Sequence, residues 1–491
     1  MSGQPRTERL ALRITRERVV RWARAWIKMT AQARGGRILW VIFVLSLPLT
    51  TPLLRGDGNA YYAYLPTLFI DGDLEFANQY ANADPKFLQN AGNWERSATG
   101  LTVNKWPPGA ALFWSPFFVA GHLVTIGMRA LGFALPADGY ALPNLWATAL
   151  ASVSYGFLGL WLSYRVALRF VAERAAVLAV LAIWFASSVP VYMYFLPFTA
   201  HAVALFTTAL FVWYWLSLPP RCDDARQVVL GVIGGCCAVV RYECAVVLLI
   251  AFADLALAAW ERSARARVLA RSVGALVAGA ALGLLPLLAT RALIYGDPVN
   301  TGYETELAGH DWLHPRFVQL FFTSAHGAFS WTPVLLFATI GFVMFAYRRP
   351  RLGIPLALPF AVLSYVTACW WGTEMSSYGN RFFVSYSVFF VVGAAVLIDA
   401  LLRVVSLRML ATGAGALVAW NVLLIGQFGL GMVPRDSTMM ERFSWRATVR
   451  NQLEVPARLA REAGDFVGDR RRFMERIGEL EREQRARGGQ L

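Results

Sequence analysis

The chain has 491 residues, 57% hydrophobic and 16% charged, with a formal net charge of +15 and a mean hydropathy of +0.46. Soluble domains carry roughly 25% charged residues, and a soluble chain of this length would divide into about three domains joined by polar linkers. No such linkers occur. Apolar runs of about 20 residues alternate with short Arg-rich segments, which is the pattern of an all-α polytopic membrane protein and excludes soluble, fibrous and disordered classes.

The basic segment 1–37 holds ten Lys and Arg residues against Glu8 and Glu17, a net of +8. Thr7 to Met29 reads as a basic amphipathic helix on the cytoplasmic surface, with Leu10, Ile14, Val20 and Ile27 among its apolar residues. The remaining Arg clusters fall in short loops between apolar runs. The charge is therefore a topology signal and not a nucleic-acid footprint. The first run, Ile38 to Leu54, has no A-x-A-like site after it and reads as a retained span.

A polar segment from Gly56 to Gly109 follows, within a first outer loop of residues 55–141. The next apolar stretch, Ala110 to Phe133, contains Pro116, His122 and Arg129. Were it to span, Arg165, Arg169 and Arg174 would face outward, so it is expected to lie along the outer interface. Ten more spans are expected at about Leu142–Tyr164, Ala175–Tyr194, Ala200–Leu218, Val228–Val240, Cys244–Trp260, Val273–Tyr295, Ala328–Ala346, Gly353–Trp371, Phe382–Leu402 and Leu410–Leu430. With the first, these make about 11 transmembrane helices. Val228 to Trp260 is read as a hairpin turning at Arg241-Tyr242-Glu243; a single tilted helix there would invert every later loop. The organisation is thus a cytoplasmic segment 1–37, a transmembrane domain 38–431 and a charged helical tail 432–491, expected outside and solvated.

Cys222, Cys236, Cys237, Cys244 and Cys369 lie in or beside apolar runs and form no disulfide framework. The vicinal pair Cys236–Cys237 has no His or acidic neighbour at ligand spacing. Reactive residues gather on the outer face. All five histidines (His122, His201, His310, His314, His326) map there, with Asp57, Asp71, Asp73 and Glu75 in the first loop and Glu304, Glu306 and Asp311 after Tyr295. A transporter places polar groups near the bilayer midplane; this clustering fits chemistry at the interface better. Asp57, three residues past the first run, is placed to accept a proton or hold a divalent ion. From composition alone the favoured reading is an exposed Asp in a Gly-rich turn.

The stretch Gly56-Asp57-Gly58-Asn59-Ala60-Tyr61-Tyr62-Ala63-Tyr64, followed by Asp71-Gly72-Asp73, resembles the first outer loop of GT-C membrane glycosyltransferases, in particular bacterial enzymes of the protein O-mannosyltransferase and aminoarabinose transferase type. Asn104-Lys105-Trp106-Pro107-Pro108-Gly109 is similar to that family's Lys-Pro-Pro motif and the interfacial helix after it. Leu230 to Arg241 and Trp370-Trp371-Gly372 through Tyr378-Gly379-Asn380-Arg381 add less specific support. The chain departs from the family at Gly58, where members often carry a second acid.

The resemblance implies a GT-C-like fold with outer juxtamembrane helices and transfer of a sugar from a polyprenyl-phosphate donor. Asp57 is then the expected base for an acceptor hydroxyl. Lys105, Arg241 and Arg381 are the expected cations on the leaving phosphate. Tyr61, Tyr62, Asp73, His201, Glu243 and Glu304 are the further candidate substrate-binding residues. His201 reads first as a hydrogen-bonded interfacial histidine, and Arg241 and Arg381 equally as snorkelling residues. The sequence leaves open a divalent cation and the nature of the acceptor (glycan, lipid or protein). The expected partners are the lipid-linked sugar, its acceptor and membrane lipids, with no nucleic acid. The expected location is a bacterial inner membrane, with a cytoplasmic N-terminus and an active site on the periplasmic face. The competing function is a transporter or flippase for lipid-linked glycans.

Overall fold

The computed structural model describes residues 34–83, 95–217, 222–262, 264–324, 326–370, 378–433 and 445–468, together with Arg476 and Glu479. The expected basic helix Thr7–Met29, Lys86 and Glu374 lie outside the described residues. The chain divides into two units, Met1–Ser46 and Leu47–Leu491. In the first, α1 (Arg34–Ser46) is a helix whose last side chain turns back, Ser46 Oγ donating to Phe43 O at 2.7 Å.

The second unit is helical. In chain order it contains α2 (Gly58–Pro66), α3 (Ala77–Ala81), α4 (Gly109–Ala130), α5 (Leu142–Ala167), α6 (Glu173–Ala186), α7 (His201–Ser217), α8 (Asp224–Val240), α9 (Leu248–Trp260) and α10 (Ala266–Tyr295). There follow α11 (Glu304–Ala308), α12 (Phe317–Phe322), α13 (Ala328–Trp331), α14 (Pro333–Arg348), α15 (Pro350–Cys369), α16 (Ser387–Leu401), α17 (Leu407–Gly429) and α18 (Trp445–Gly468). The protein is a multi-pass membrane protein by composition and helix length. Seven of the described helices are long and apolar enough to cross a bilayer, Gly109–Ala130 among them, and His201–Ser217 and Pro333–Arg348 are shorter apolar helices. The segment expected along the interface is thus a 22-residue helix of spanning length. Thr125 of α4 donates to Asn144 Oδ1 of α5 at 2.7 Å, while Phe113 packs on Tyr155, so the two helices run antiparallel.

The hairpin at Arg241 is present. The α8 helix ends at Val240, Arg241 is extended, and a 3-10 turn over Tyr242–Val247 leads into α9. Gly234 lies against the Leu248 side chain, seven residues on either side of Arg241, as a reversal requires. The following helix, α10, then runs parallel to α8. Two G-x-x-x-G steps make their contact: a Cβ on Gly231 or Gly235 would stand 2.2 Å from Leu276 O or 2.5 Å from Ala280 O, and one on Gly279 or Gly283 would stand 2.1 Å from Val228 O or 2.4 Å from Val232 O. Small residues let membrane helices approach until backbones touch, where dispersion replaces a hydrophobic drive that lipid cannot supply.

The Arg-bearing loops meet at one end. Arg169 donates to Ser217 Oγ at 2.9 Å, Arg351 pairs with Glu261 at 3.0 Å, Ala172 N donates to Asp399 Oδ1 at 3.3 Å, and the Arg349 guanidinium covers the Phe170 ring at 5.4 Å. Just inside that end, Asp254 accepts from Trp215 Nε1 at 3.0 Å and lies 3.5 Å from Arg226, both acid and base 5% exposed. The tail helix α18, expected to be solvated, instead docks on α17: Val455 and Thr448 are fully buried, and Gln427 Nε2 donates to Thr448 O at 3.0 Å. The five cysteines are free thiols.

Candidate active site

The other ends of α7, α8, α9, α10 and α16, together with α2, surround one cluster of charged and aromatic side chains. Asp57 immediately precedes α2 and makes no side-chain cap to it. Its Oδ2 instead accepts from Arg381 NH1 at 2.8 Å, with both side chains about one-third exposed (34% and 27%). Arg381 opens a 3-10 turn, Arg381–Tyr386, that leads into α16. Its direction is set by two successive left-handed residues, Gly379 (φ +55°) and Asn380 (φ +54°). A glycine and an asparagine are among the few residues that adopt that region readily. The turn is braced by Ser188 Oγ donating to Gly379 O at 2.9 Å and Tyr378 N donating to Tyr192 OH at 2.9 Å.

Arg241 stands beside this pair. Both guanidiniums lie 5.8 Å from the centre of the Phe382 ring. Arg241 Nε donates to Glu243 Oε1 at 2.5 Å, and its NH1 lies 3.2 Å from His201 Nε2. Arginine can only donate, so His201 Nε2 accepts and the proton of a neutral ring sits on Nδ1, a buried atom with no hydrogen-bond partner among the described residues. The lone pair of His201 is thus turned to Arg241. Tyr61 is 4% exposed among these groups. Burial raises its phenol well above the ordinary value; Arg241 opposes this, Asp57 and Glu243 add to it, and Arg381 opposes it. The phenol stays neutral and the four charges share one neighbourhood.

Lys105 approaches from the Lys-Trp-Pro-Pro turn. Its Nζ lies 5.3 Å from the Trp106 ring and 5.1 Å from the Tyr303 ring. Burial pushes the Tyr303 phenol up, with Tyr61 and Asp57 adding to it, Arg241 opposing and Glu243 adding. The Tyr303 ring also meets the ring of Tyr242, the neighbour of Arg241, at 5.9 Å, and so links Lys105 to the cluster. Asp57, Tyr61, His201, Arg241, Glu243 and Arg381 are thus brought together, with Lys105 joined to them through Tyr303.

Three candidates lie elsewhere. The Tyr62 hydroxyl donates to Gly139 O at 2.6 Å, and its ring packs on Phe118, Tyr140 and Phe198, a structural role within the loop. Asp73 is exposed and accepts from Glu75 N at 3.1 Å in its own turn. Glu304 accepts from Thr301 N at 2.7 Å and Thr301 Oγ1 at 3.0 Å, in the turn that leads into α11. Burial alone would raise its carboxyl, but these bonds and those of nearby backbone hold it below its usual value. The sequence reading passed over Tyr303, Phe382 and Arg291. Arg291 carried a usable signal, because an arginine within an apolar run is a functional candidate by default; the two aromatics are indistinguishable from the many others in the chain.

The described residues contain no group of three or more His, Cys, Asp or Glu side chains suited to hold an ion. Within the cluster, Asp57 and Glu243 are each matched by a guanidinium. Position 58 is tight: a Cβ there would stand 3.0 Å from Phe198 Cβ.

The fold and cluster define a polytopic helical membrane protein with two carboxylates, three cations and buried phenols at the end opposite its Arg-rich loops. No family model matches the sequence, and no curated protein matches it. Among solved structures, the chain is similar to ArnT from Cupriavidus metallidurans bound to undecaprenyl phosphate, with 15% identity and a TM-score of 0.43 over 88% of this chain and 71% of that one. It is similar also to the apo state of that protein, with 14% identity and a TM-score of 0.41 over 88% and 75%.

Proposed function

We propose that the chain is an integral membrane glycosyltransferase of GT-C type that moves a sugar from a polyprenyl-phosphate donor to an acceptor hydroxyl. The observation that carries this reading is the pairing of one carboxylate, Asp57, with Arg381, whose guanidinium shares the Phe382 ring with that of Arg241; Lys105 stands on the Tyr303 ring. The sequence motifs around Asp57 and Lys105 resemble those of the GT-C enzymes and point the same way. In the reaction, the acceptor oxygen attacks the anomeric carbon and Asp57 takes its proton. The bond from the anomeric carbon to the phosphate oxygen breaks, and the electron pair leaves with the lipid phosphate.

Charge then grows on the phosphate oxygens, where Arg381, Arg241 and Lys105 stabilise it. Preorganised donors of this kind supply transition-state binding without reorganisation. Glu243 and His201 hold the Arg241 guanidinium from two sides. Arg381 faces both the base and the departing phosphate, so donor binding competes with Asp57 for the same guanidinium and releases the carboxylate for proton transfer.

The positive-inside rule puts the Arg-rich end in the cytoplasm. The cluster then lies on the non-cytoplasmic face of a bacterial inner membrane, where a lipid-linked sugar and an external acceptor would meet. The test is sugar transfer in proteoliposomes loaded with a polyprenyl-phosphate sugar and offered a hydroxyl acceptor. Release of polyprenyl phosphate by the wild type and not by Asp57→Asn supports the reading; movement of intact donor between leaflets without cleavage would replace it with a flippase.

A further inference from the structure

We infer that Arg291 is a positioning residue that holds the backbone of residues 104–106 so that the Lys105 ammonium faces the cluster. The inference rests on the reading of Lys105 as a phosphate-binding cation. Arg291 lies four residues before the end of α10 and is 1% exposed. Its NH1 donates to Asn104 O at 2.6 Å, and its NH2 donates to Lys105 O at 2.9 Å and Trp106 O at 3.1 Å. The guanidinium is covered by the Tyr242 ring at 5.8 Å and the Tyr295 ring at 5.4 Å.

Burying a cation in a membrane protein against carbonyls and rings is costly, and such residues persist for what they fix. Here three successive carbonyls converge on one planar fork. A lysine at 291 would present a point charge with rotatable donors and could not reproduce that geometry. The segment also has ties between neutral groups, the weaker kind: Asn104 Nδ2 donates to Ala60 O at 3.0 Å, the Tyr64 hydroxyl to Trp106 O at 2.9 Å and Trp106 N to Asn104 Oδ1 at 3.2 Å.

The stitched segment joins three parts of the cluster. Through Asn104 and Tyr64 it meets α2, which begins just after Asp57. Gly109, where a Cβ would stand 2.4 Å from the Val239 backbone, sets it against the end of α8 that carries Arg241. Arg291 ties it to α10. Lys105 projects from the middle of this segment to the Tyr303 ring, 5.1 Å away.

The test is site-resolved amine labelling of the full-length protein in detergent, with and without farnesyl phosphate, read by peptide mass spectrometry. The chain has three lysines, so Lys28 and Lys86 serve as internal references. In Arg291→Gln, Lys105 should label about tenfold faster, the factor equivalent to one lost charge-assisted hydrogen bond. The protection that farnesyl phosphate gives Lys105 in the wild type should be lost. The Arg291→Lys variant, which keeps the charge should Arg291→Gln fail to fold, is expected to behave like Arg291→Gln. Unchanged labelling in both variants, or full restoration by Arg291→Lys, would overturn the inference. Faster labelling in the variants without any protection in the wild type would overturn the phosphate reading of Lys105 and leave the positioning role supported.

Discussion

Arg381 NH1 donates to Asp57 Oδ2 across 2.8 Å, joining side chains 324 residues apart in the chain. The pair is partly open to solvent, so its contribution to stability is small, about 0–1 kcal/mol for exposed pairs. Its consequence is for reactivity. If Arg381 passes from Asp57 to the donor phosphate, Arg381→Gln should raise the donor KM about 10- to 100-fold, as expected for losing a hydrogen bond to a charged group. Steady-state kinetics on a polyprenyl-phosphate sugar check this. A variant with unchanged donor KM would remove Arg381 from the phosphate site.

Chelation should leave turnover unchanged. The carboxylates of the cluster are matched by guanidiniums, Asp57 by Arg381 and Glu243 by Arg241, and position 58 is pressed against Phe198. Initial rates with and without EDTA decide this. A loss that is restored by a divalent ion would show that a metal binds despite these pairings.

The α8–α10 contact should be the least tolerant of added bulk. Gly279→Leu places a Cβ 2.1 Å from Val228 O, whereas Gly274, on the same helix, has nothing within 4 Å. Overpacking of this kind costs about 1–3 kcal/mol. Thermal unfolding in detergent should therefore fall by several degrees for Gly279→Leu and stay near wild type for Gly274→Ala.

The first loop should loosen in acid. Burial tends to raise the Glu75 carboxyl, but the Thr102 hydroxyl, the Ala77 and Thr102 amides and Arg96 together hold it below its usual value. A depressed carboxylate adds stability above its unfolded value, near 4.3, and loses it as pH falls through the lower folded value. Exchange protection of residues 95–103, corrected for intrinsic rates, should thus drop below about pH 4. Glu75→Gln should already lack that protection at neutral pH.

Much of this architecture is visible in the residues. Period-free apolar runs bounded by arginine place the spans because a bilayer admits little else, and the reversal at Arg241 follows from keeping every Arg loop on one side. Asp57, Lys105, Arg241 and Arg381 were legible through motif and charge. What the sequence hides is convergence: that Phe382 lies between two guanidiniums, that His201 turns its lone pair to Arg241, and that Arg291 reaches three carbonyls nearly 190 residues away. Those relations depend on helix rotation and approach, which local periodicity does not encode. Asp73 and Glu304 show the converse, since acids near a site in sequence can be spent on turns.

The most direct test of the central claim is mass spectrometry of the lipids that copurify with the wild type and with Asp57→Asn. If Asp57 is the base, the mutant should lose about 10²- to 10⁴-fold in turnover and retain an intact polyprenyl-phosphate sugar, while the wild type carries the free polyprenyl phosphate. The same intact lipid-linked glycan on both proteins, or no polyprenyl lipid on either, would contradict a glycosyltransferase acting through Asp57.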